Sequence, residues 1–149
     1  MDIIVDIDGT IADISHRAPL LPKNRGFNGW DAFFDACVHD RPIEPIIKMV
    51  FDLRMARHRV IFLTGRSRRI EEKTRDWIAK HVRFLPYEYD LFMREEGDHR
   101  PDVVVKREML TRLRASGYKP VIAIEDRKGV AAMWREEGLI CLHCDEGDF

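Results

Sequence analysis

Apolar residues in this chain gather into short runs whose spacing alternates between two kinds. Ile3-Ile4-Val5, Val60-Ile61-Phe62-Leu63 and Val121-Ile122-Ala123-Ile124 are continuous and rich in β-branched residues, the pattern of strands buried on both faces. Each ends in polar residues: Asp6 with Gly9 beyond it, Thr64-Gly65, and Glu125-Asp126. Tyr89 to Met93 and Leu139 to Leu142 read as two further strands. Between them the spacing becomes helical. Ile43, Ile46, Ile47, Val50 and Phe51 fall at i, i+3, i+4, i+7 and i+8, one apolar face of a helix running to about Arg57, with Pro42 and Pro45 near its start. Helices are also expected from about Arg69 to His81, from Val103 to Arg114 with Asp102 as N-cap, and from Val130 to Glu137 with Gly138 closing it.

Strands alternating with helices imply βαβ units and right-handed crossovers. The expected fold is α/β: a doubly wound, mostly parallel sheet with helices on both faces. Residues 12–41 break the rhythm. Pro19, Pro22, Gly26 and Gly29 punctuate them, and Phe27, Trp30, Phe33 and Phe34 form an aromatic cluster, so the stretch reads as a small cap inserted over one end of the sheet. The whole chain, 1–149, is expected to be one domain.

Composition narrows the function classes. Twenty-five basic and 26 acidic residues leave a net charge of −1, so bulk charge steers the chain toward neither nucleic acid nor membrane. No apolar run approaches the ~20 residues a membrane helix needs, and MDIIVDIDGT lacks the positive region of a signal peptide. Three cysteines cannot build a disulfide framework, and a cytoplasmic location is expected.

In doubly wound sheets, ligands bind beyond the carboxyl ends of the strands. Asp6 and Asp8 follow the first strand there, Thr64, Gly65 and Arg66 the second, and Glu125 and Asp126 a later one; Lys106 lies near the start of the helix after the third. Singly, each has an ordinary structural use as turn former, cap or solvated lysine. Four clusters at equivalent positions point instead to one site. Carboxylates crowded as Asp6, Asp8 and Asp126 would be cannot all stay ionised without compensation, and a hard divalent cation such as Mg²⁺ provides it. The Thr64 hydroxyl, Gly65 amide and Lys106 ammonium are donors suited to a phosphoryl group. Metal plus phosphate points to phosphoryl transfer.

Asp6-Ile-Asp8-Gly9-Thr10, Thr64-Gly65-Arg66, Lys106 and Glu125-Asp126, in this order and on these elements, resemble the four motifs of the haloacid dehalogenase (HAD) superfamily. The resemblance implies Asp6 as nucleophile forming an aspartyl-phosphate, Asp8 as acid and then base, and Thr64 and Lys106 as phosphoryl ligands. Asp6, the carbonyl of Asp8, and Asp126 would hold Mg²⁺. A closer similarity covers the whole chain. Asp13 and Arg17, Gly97-Asp98-x-Arg100-x-Asp102-Val-Val-Val-Lys106, Ile124-Glu125-Asp126-Arg127, Met133-Trp134-Arg135 and Gly147-Asp148-Phe149 resemble the 3′-phosphatase domain of phage polynucleotide kinase-phosphatases. That similarity adds Arg17 and Arg66 near the substrate phosphate and Asp102 and Glu125 in support. It implies a 3′-phosphorylated DNA or RNA end as substrate. The chain departs from that family in having no G-x-x-x-x-G-K-[ST] loop, so the 5′-kinase half is expected to be absent and a separate kinase or ligase becomes a candidate partner. A free nucleotide or other small phosphomonoester is the alternative substrate, and a non-catalytic end-binding module the alternative role.

Other features divide between two readings. The aromatic cluster either packs the insertion onto the body or stacks on a base, and packing is the expectation. Residues 54–83 carry ten Lys/Arg against three acids, either a groove for a phosphate backbone or a solvated mixed face. Cys141-Leu-His-Cys144 and Cys37-Val-His39 lack the paired spacing of structural zinc, so buried small hydrophobes are expected and His143 is left without a role.

Overall fold

The computed structural model describes residues 1–22 and 29–147. Gly26 and Phe27, and Asp148 and Phe149 of the carboxyl-terminal motif, lie outside the described residues. In chain order the elements are β1 (Asp2–Val5), β2 (Ala12–Asp13), α1 (Trp30–Asp35), β3 (Arg41–Pro42), α2 (Glu44–Met55), β4 (Arg59–Ser67), α3 (Glu71–His81), β5 (Tyr89–Arg94), α4 (Asp102–Ala115), β6 (Pro120–Arg127), α5 (Lys128–Glu136) and β7 (Ile140–Gly147). Single 3₁₀ turns cover Ala18–Leu20, Ala36–His39 and Arg68–Ile70.

Five strands form one sheet in the order β5-β4-β1-β6-β7, with every neighbouring pair parallel. The chain winds outward from β1 to β5, then crosses back to β6 on the far side of β1. The topological switch point therefore lies between β1 and β6, outside whose carboxyl ends a ligand site is expected.

Residue alternation along the buried strands decides which layer each side chain joins. Ile3, Val5, Val60, Phe62 and Ile124 face α2 and α3, packing on Ile47, Val50, Trp77 and Ile78. Ile4, Ile61, Leu63 and Ala123 face α4 and α5, packing on Leu110, Leu113, Met133 and Trp134. Full burial of one such Leu, Ile or Phe side chain contributes roughly 1.5–3 kcal/mol, so these two layers carry most of the apolar stabilisation.

Several boundaries differ from those the sequence predicts. β4 runs on to Ser67 and β6 to Arg127, each with a register shift where the polar segment begins. There the pairing becomes irregular and the side chains face a site rather than a core, so the apolar pattern stops while the strand continues. β7 extends to Gly147, held by pairing to β6. Asp102 is the first residue of α4 rather than its N-cap; Pro101 takes that position, and the Asp102 side chain makes no capping bond because arginines occupy it. The inserted stretch is tied down by the antiparallel pair β2–β3, two residues each, which has no period to betray it.

Candidate active site

Asp6 leaves β1 with its amide bonded to the Ile124 carbonyl of β6 (3.0 Å), which fixes its carboxylate at the switch point. Lys106, in the second turn of α4, reaches it from 100 residues away: Nζ lies 2.8 Å from Asp6 Oδ1 and 2.9 Å from Glu125 Oε2. All three side chains are essentially buried. Burial alone would depress the Lys106 ammonium, but Asp6 and Glu125 outweigh it and hold the charge on. Burial pushes the Asp6 carboxyl well above the carboxylate range; Lys106 opposes this, while Glu125 and Asp126 add to it. Trp134 Nε1 also donates to Glu125 Oε2, at 3.3 Å. Glu125 is thereby committed to Lys106 and Trp134, which suits a supporting role.

Asp126 is the contrasting acid. Thr10 Oγ1 donates to its Oδ1 at 3.3 Å, yet Oδ2 is buried and, among the described residues, is the buried side-chain oxygen left without a hydrogen-bond partner. Burial and the adjacent Glu125 push the Asp126 carboxyl up to about 7. One oxygen each from Asp6, Glu125 and Asp126 lie within 4.8 Å of one another. A carboxylate cluster with an orphaned buried oxygen is short of positive charge, and an oxygen-preferring divalent cation fits it. Gly9 keeps this space open. Its φ is +82°, and a Cβ there would collide with the Asp126 carboxylate.

Asp8 sits above the pair, with its side chain 15% exposed. Its Oδ1 accepts from Arg17 Nη2 at 2.6 Å and from Arg66 Nε at 2.8 Å. Burial would raise its carboxyl, but Arg66 and Arg17 outweigh burial and hold it below the usual carboxylate range. Both arginines are completely buried, so Arg17 is no surface residue of the insertion. Asp40 makes their burial possible: it accepts from Arg17 Nε at 2.7 Å, Arg17 Nη2 at 2.8 Å and Arg66 Nη2 at 2.7 Å. His16 and the Trp77 indole, which donates to the Asp40 carbonyl, complete its surroundings. Asp40 escapes sequence reasoning because it lies in the insertion just before β3, outside every motif. The signal available was an acid fixed by the Arg41-Pro42 segment that returns the chain to the body.

Thr64 is fully buried at the bend of β4, where its Oγ1 accepts from the Arg66 amide at 3.2 Å. Gly65 lies against Asp102, whose carboxylate a Cβ would strike. Asp102 pairs with Arg94, with Arg127 at 2.9 Å and, more distantly, with Lys106 at 3.9 Å. These cations hold its carboxyl low despite burial. Arg94, a second residue the sequence did not single out, also donates to the Gly65 carbonyl at 3.0 Å and so couples β5 to the β4 bend.

Asp6, Asp8, Arg17, Thr64, Gly65, Arg66, Asp102, Lys106 and Asp126 thus converge on one end of the sheet. Several cations of residues 54–83 are engaged with separate partners. Arg66 points inward, while Arg54 pairs with Glu88, Arg68 with Glu95, Arg69 and Lys73 with Asp35, and Arg75 with Glu71. Cys37 and Cys141 are buried, Cys141 against α4 and α5, whereas Cys144, at the polar end of β7, is exposed and does not meet the expectation of a buried hydrophobe. His143 does gain a place: parallel pairing sets it beside Glu125, and its Nε2 donates to the Asp126 carbonyl at 2.8 Å. Among the described residues no helix is long and apolar enough to cross a membrane.

The family described as "Polynucleotide kinase PNKP phosphatase domain" matches residues 1–149. A candidate bifunctional polynucleotide kinase/RNA ligase of Autographa californica nuclear polyhedrosis virus is 30% identical over 135 residues, covering 90% of this chain and 18% of that protein. A chain of the Pnkp1/Rnl/Hen1 complex superposes with a TM-score of 0.79 at 28% identity, over 99% of this chain and 46% of that one. The chain thus spans less than half the length of these relatives. A HAD family enzyme of Bacteroides thetaiotaomicron, in complex with magnesium and inorganic phosphate, shares the fold at 12% identity, with a TM-score of 0.59 over 99% of this chain and 96% of that one. The five-stranded parallel sheet with its flanking helices matches the HAD-like α/β fold, and the chain belongs to the polynucleotide kinase PNKP phosphatase domain family within the HAD superfamily of hydrolases.

Proposed function

We propose that this HAD phosphatase is a Mg²⁺-dependent phosphomonoesterase that removes the 3′-phosphate from nucleic-acid ends through an aspartyl-phosphate. The observation that carries the chemistry is the buried contact between Asp6 and Lys106, open on the cavity side toward Asp8. The family and the polynucleotide kinase/ligase relative support the substrate.

An Asp6 carboxylate oxygen attacks phosphorus while the bond to the ester oxygen breaks. Asp8, protonated once the substrate phosphate draws Arg17 and Arg66 away from it, gives that proton to the ester oxygen, releasing a 3′-hydroxyl. Asp8 then takes a proton from water as the water oxygen attacks phosphorus, the bond to Asp6 breaks, and phosphate leaves. Arg17 and Arg66 orient Asp8, and they offer donors to a phosphate that competes for them. The Lys106 ammonium and Thr64 hydroxyl hold phosphoryl oxygens and neutralise charge as it spreads over them. Asp6, the Asp8 carbonyl and Asp126 would hold the cation, whose role when bound is to offset the negative charge of carboxylates and phosphate. The 3′-hydroxyl released is the end that a polynucleotide ligase consumes, so a separate kinase or ligase is the proposed partner.

The test is phosphate release from a 3′-phosphorylated oligonucleotide, its 5′-phosphorylated twin and a 3′-mononucleotide, each with Mg²⁺, with chelator and with Asp6→Asn. Mg²⁺-dependent release from the 3′-oligonucleotide alone, abolished in Asp6→Asn, is expected. Equal or better turnover of the mononucleotide would discard the nucleic-acid substrate and keep the chemistry.

A further inference from the structure

A cavity of about 700 Å³ opens beside Asp6 and Asp8, far larger than a phosphate group requires. Part of its wall is aromatic. The rings of Trp30 and Phe34, both lining it, lie 5.7 Å apart and 26° from parallel. Phe33 meets them edge-on, at 6.0 Å from Trp30 and 5.7 Å from Phe34. Phe33 is buried, and the Arg17 guanidinium lies 4.2 Å from its ring centroid. The cluster therefore divides. Phe33 anchors the insertion to the charged centre of the site, whereas Trp30 and Phe34 stay half-buried along the cavity.

We infer that Trp30 and Phe34 form a stacking shelf for the nucleobase of the nucleotide that carries the scissile phosphate. The inference rests on the nucleic-acid reading above and gives it a binding subsite. Asp6 and Lys106 are closed in by protein, so a substrate with its phosphorus at Asp6 must lodge its remaining bulk in the cavity. A planar heteroaromatic ring extends an aromatic pile already two rings deep. Such stacking is indifferent to sequence because every base has a π face, which suits an enzyme acting on ends. The polar part of the lining, including Arg94, Asp98 and Arg127, offers hydrogen bonds to sugar and backbone. Packing of the insertion engages these rings, Phe34 against Cys37, Ile70 and Met93, and still leaves Trp30 and Phe34 half-buried where they line the cavity.

The experiment compares a 3′-phosphorylated oligonucleotide with the same strand carrying an abasic 3′-terminal nucleotide, for the wild-type chain and for Trp30→Ala. In the wild type, the abasic strand is expected to show a KM roughly tenfold higher at similar kcat, the size of one lost stacking contact. In Trp30→Ala the two strands should converge on the higher KM. Equal KM values in the wild type, or a gap that survives Trp30→Ala, would overturn the shelf. The wild-type comparison needs no variant to fold. p-Nitrophenyl phosphate serves as a third substrate: its hydrolysis without turnover of either strand would mark failure of the nucleic-acid reading itself, and the shelf would fall with it.

Discussion

Arg17 and Asp40, 23 residues apart, meet side-on: Nε bonds Oδ1 at 2.7 Å and Nη2 bonds Oδ2 at 2.8 Å, with neither side chain exposed. Asp40 also binds Arg66, so one carboxylate sets the position of both guanidiniums that grip Asp8. Asp40→Asn keeps the shape and removes the charge, leaving two buried cations with Asp8 as their remaining carboxylate. Urea unfolding should show a loss of roughly 3 kcal/mol, and phosphate release should fall on the order of 10²-fold as Asp8 and the arginines shift. A midpoint within experimental error of the wild type would refute this role.

Lys106 is shared by Asp6 and Glu125, and its removal exposes each to the other. Lys106→Met preserves the stem in its buried slot. Turnover is expected to drop by about 10²–10³, the scale seen when a transition-state donor is deleted. Circular dichroism would check that the fold survives; more than a tenth of wild-type turnover in a folded variant would count against the assignment.

If Asp126 Oδ2 awaits a cation, Mg²⁺ should stabilise the chain by mass action, by about 2.7 kcal/mol at a hundredfold excess over its Kd. Differential scanning calorimetry with Mg²⁺ and with chelator measures the shift in Tm. Asp126→Asn should abolish most of it, and a full shift in that variant would place the cation elsewhere.

Two glycines keep the site from filling with its own side chains. Gly9→Ala must adopt positive φ, at roughly 1–2 kcal/mol, and its methyl would crowd Asp126. Gly65→Ala carries no such backbone cost but would displace Asp102 from Arg94 and Arg127. Thermal unfolding with and without Mg²⁺ should separate them: Gly9→Ala loses the Mg²⁺ response, and Gly65→Ala retains it.

Away from the cation, Asp98 is held at about 2 by hydrogen bonds from Arg100. A carboxyl depressed in the folded state adds stability above its unfolded pKa of about 3.9. That stability is lost as pH falls from about 4 through 2. Asp98→Asn should thus be less stable than the wild type at neutral pH by a small, salt-sensitive margin, because the Arg100 side of the pair is half exposed. The two unfolding curves should approach each other across that acid window; a gap that widens there contradicts the pairing.

The strand-end chemistry was legible because it rides on apolar runs. Asp6, Thr64 and Asp126 each follow a stretch that can be placed in a sheet, and sheet topology brings such ends together. Asp40 and Arg94 lack that support. Asp40 acts through Arg17 and Arg66, 23 and 26 residues away, across an insertion held by a two-residue strand pair. Arg94 ends a strand like the others, but arginine there has an ordinary reading at the surface. The basic stretch was ambiguous for a related reason: it passes from a helix through a buried strand to another helix, and several of its cations find separate acidic partners. The boundaries of β4 and β6 were short because apolarity ends where the site begins, while the backbone pairing carries on.

β1, ahead of every other strand in the chain, ends up in the middle of the sheet, with β4 on one side and β6 on the other. During synthesis it gains one neighbour when residues 59–67 emerge, but its second edge stays open until residues 120–127 follow. A nascent chain stalled before that point displays an unpaired strand edge carrying Ile3, Ile4 and Val5, a template for association with other chains. β6 therefore acts as a chaperone for β1, and products shortened ahead of residue 120 should precipitate rather than persist as inactive folded fragments.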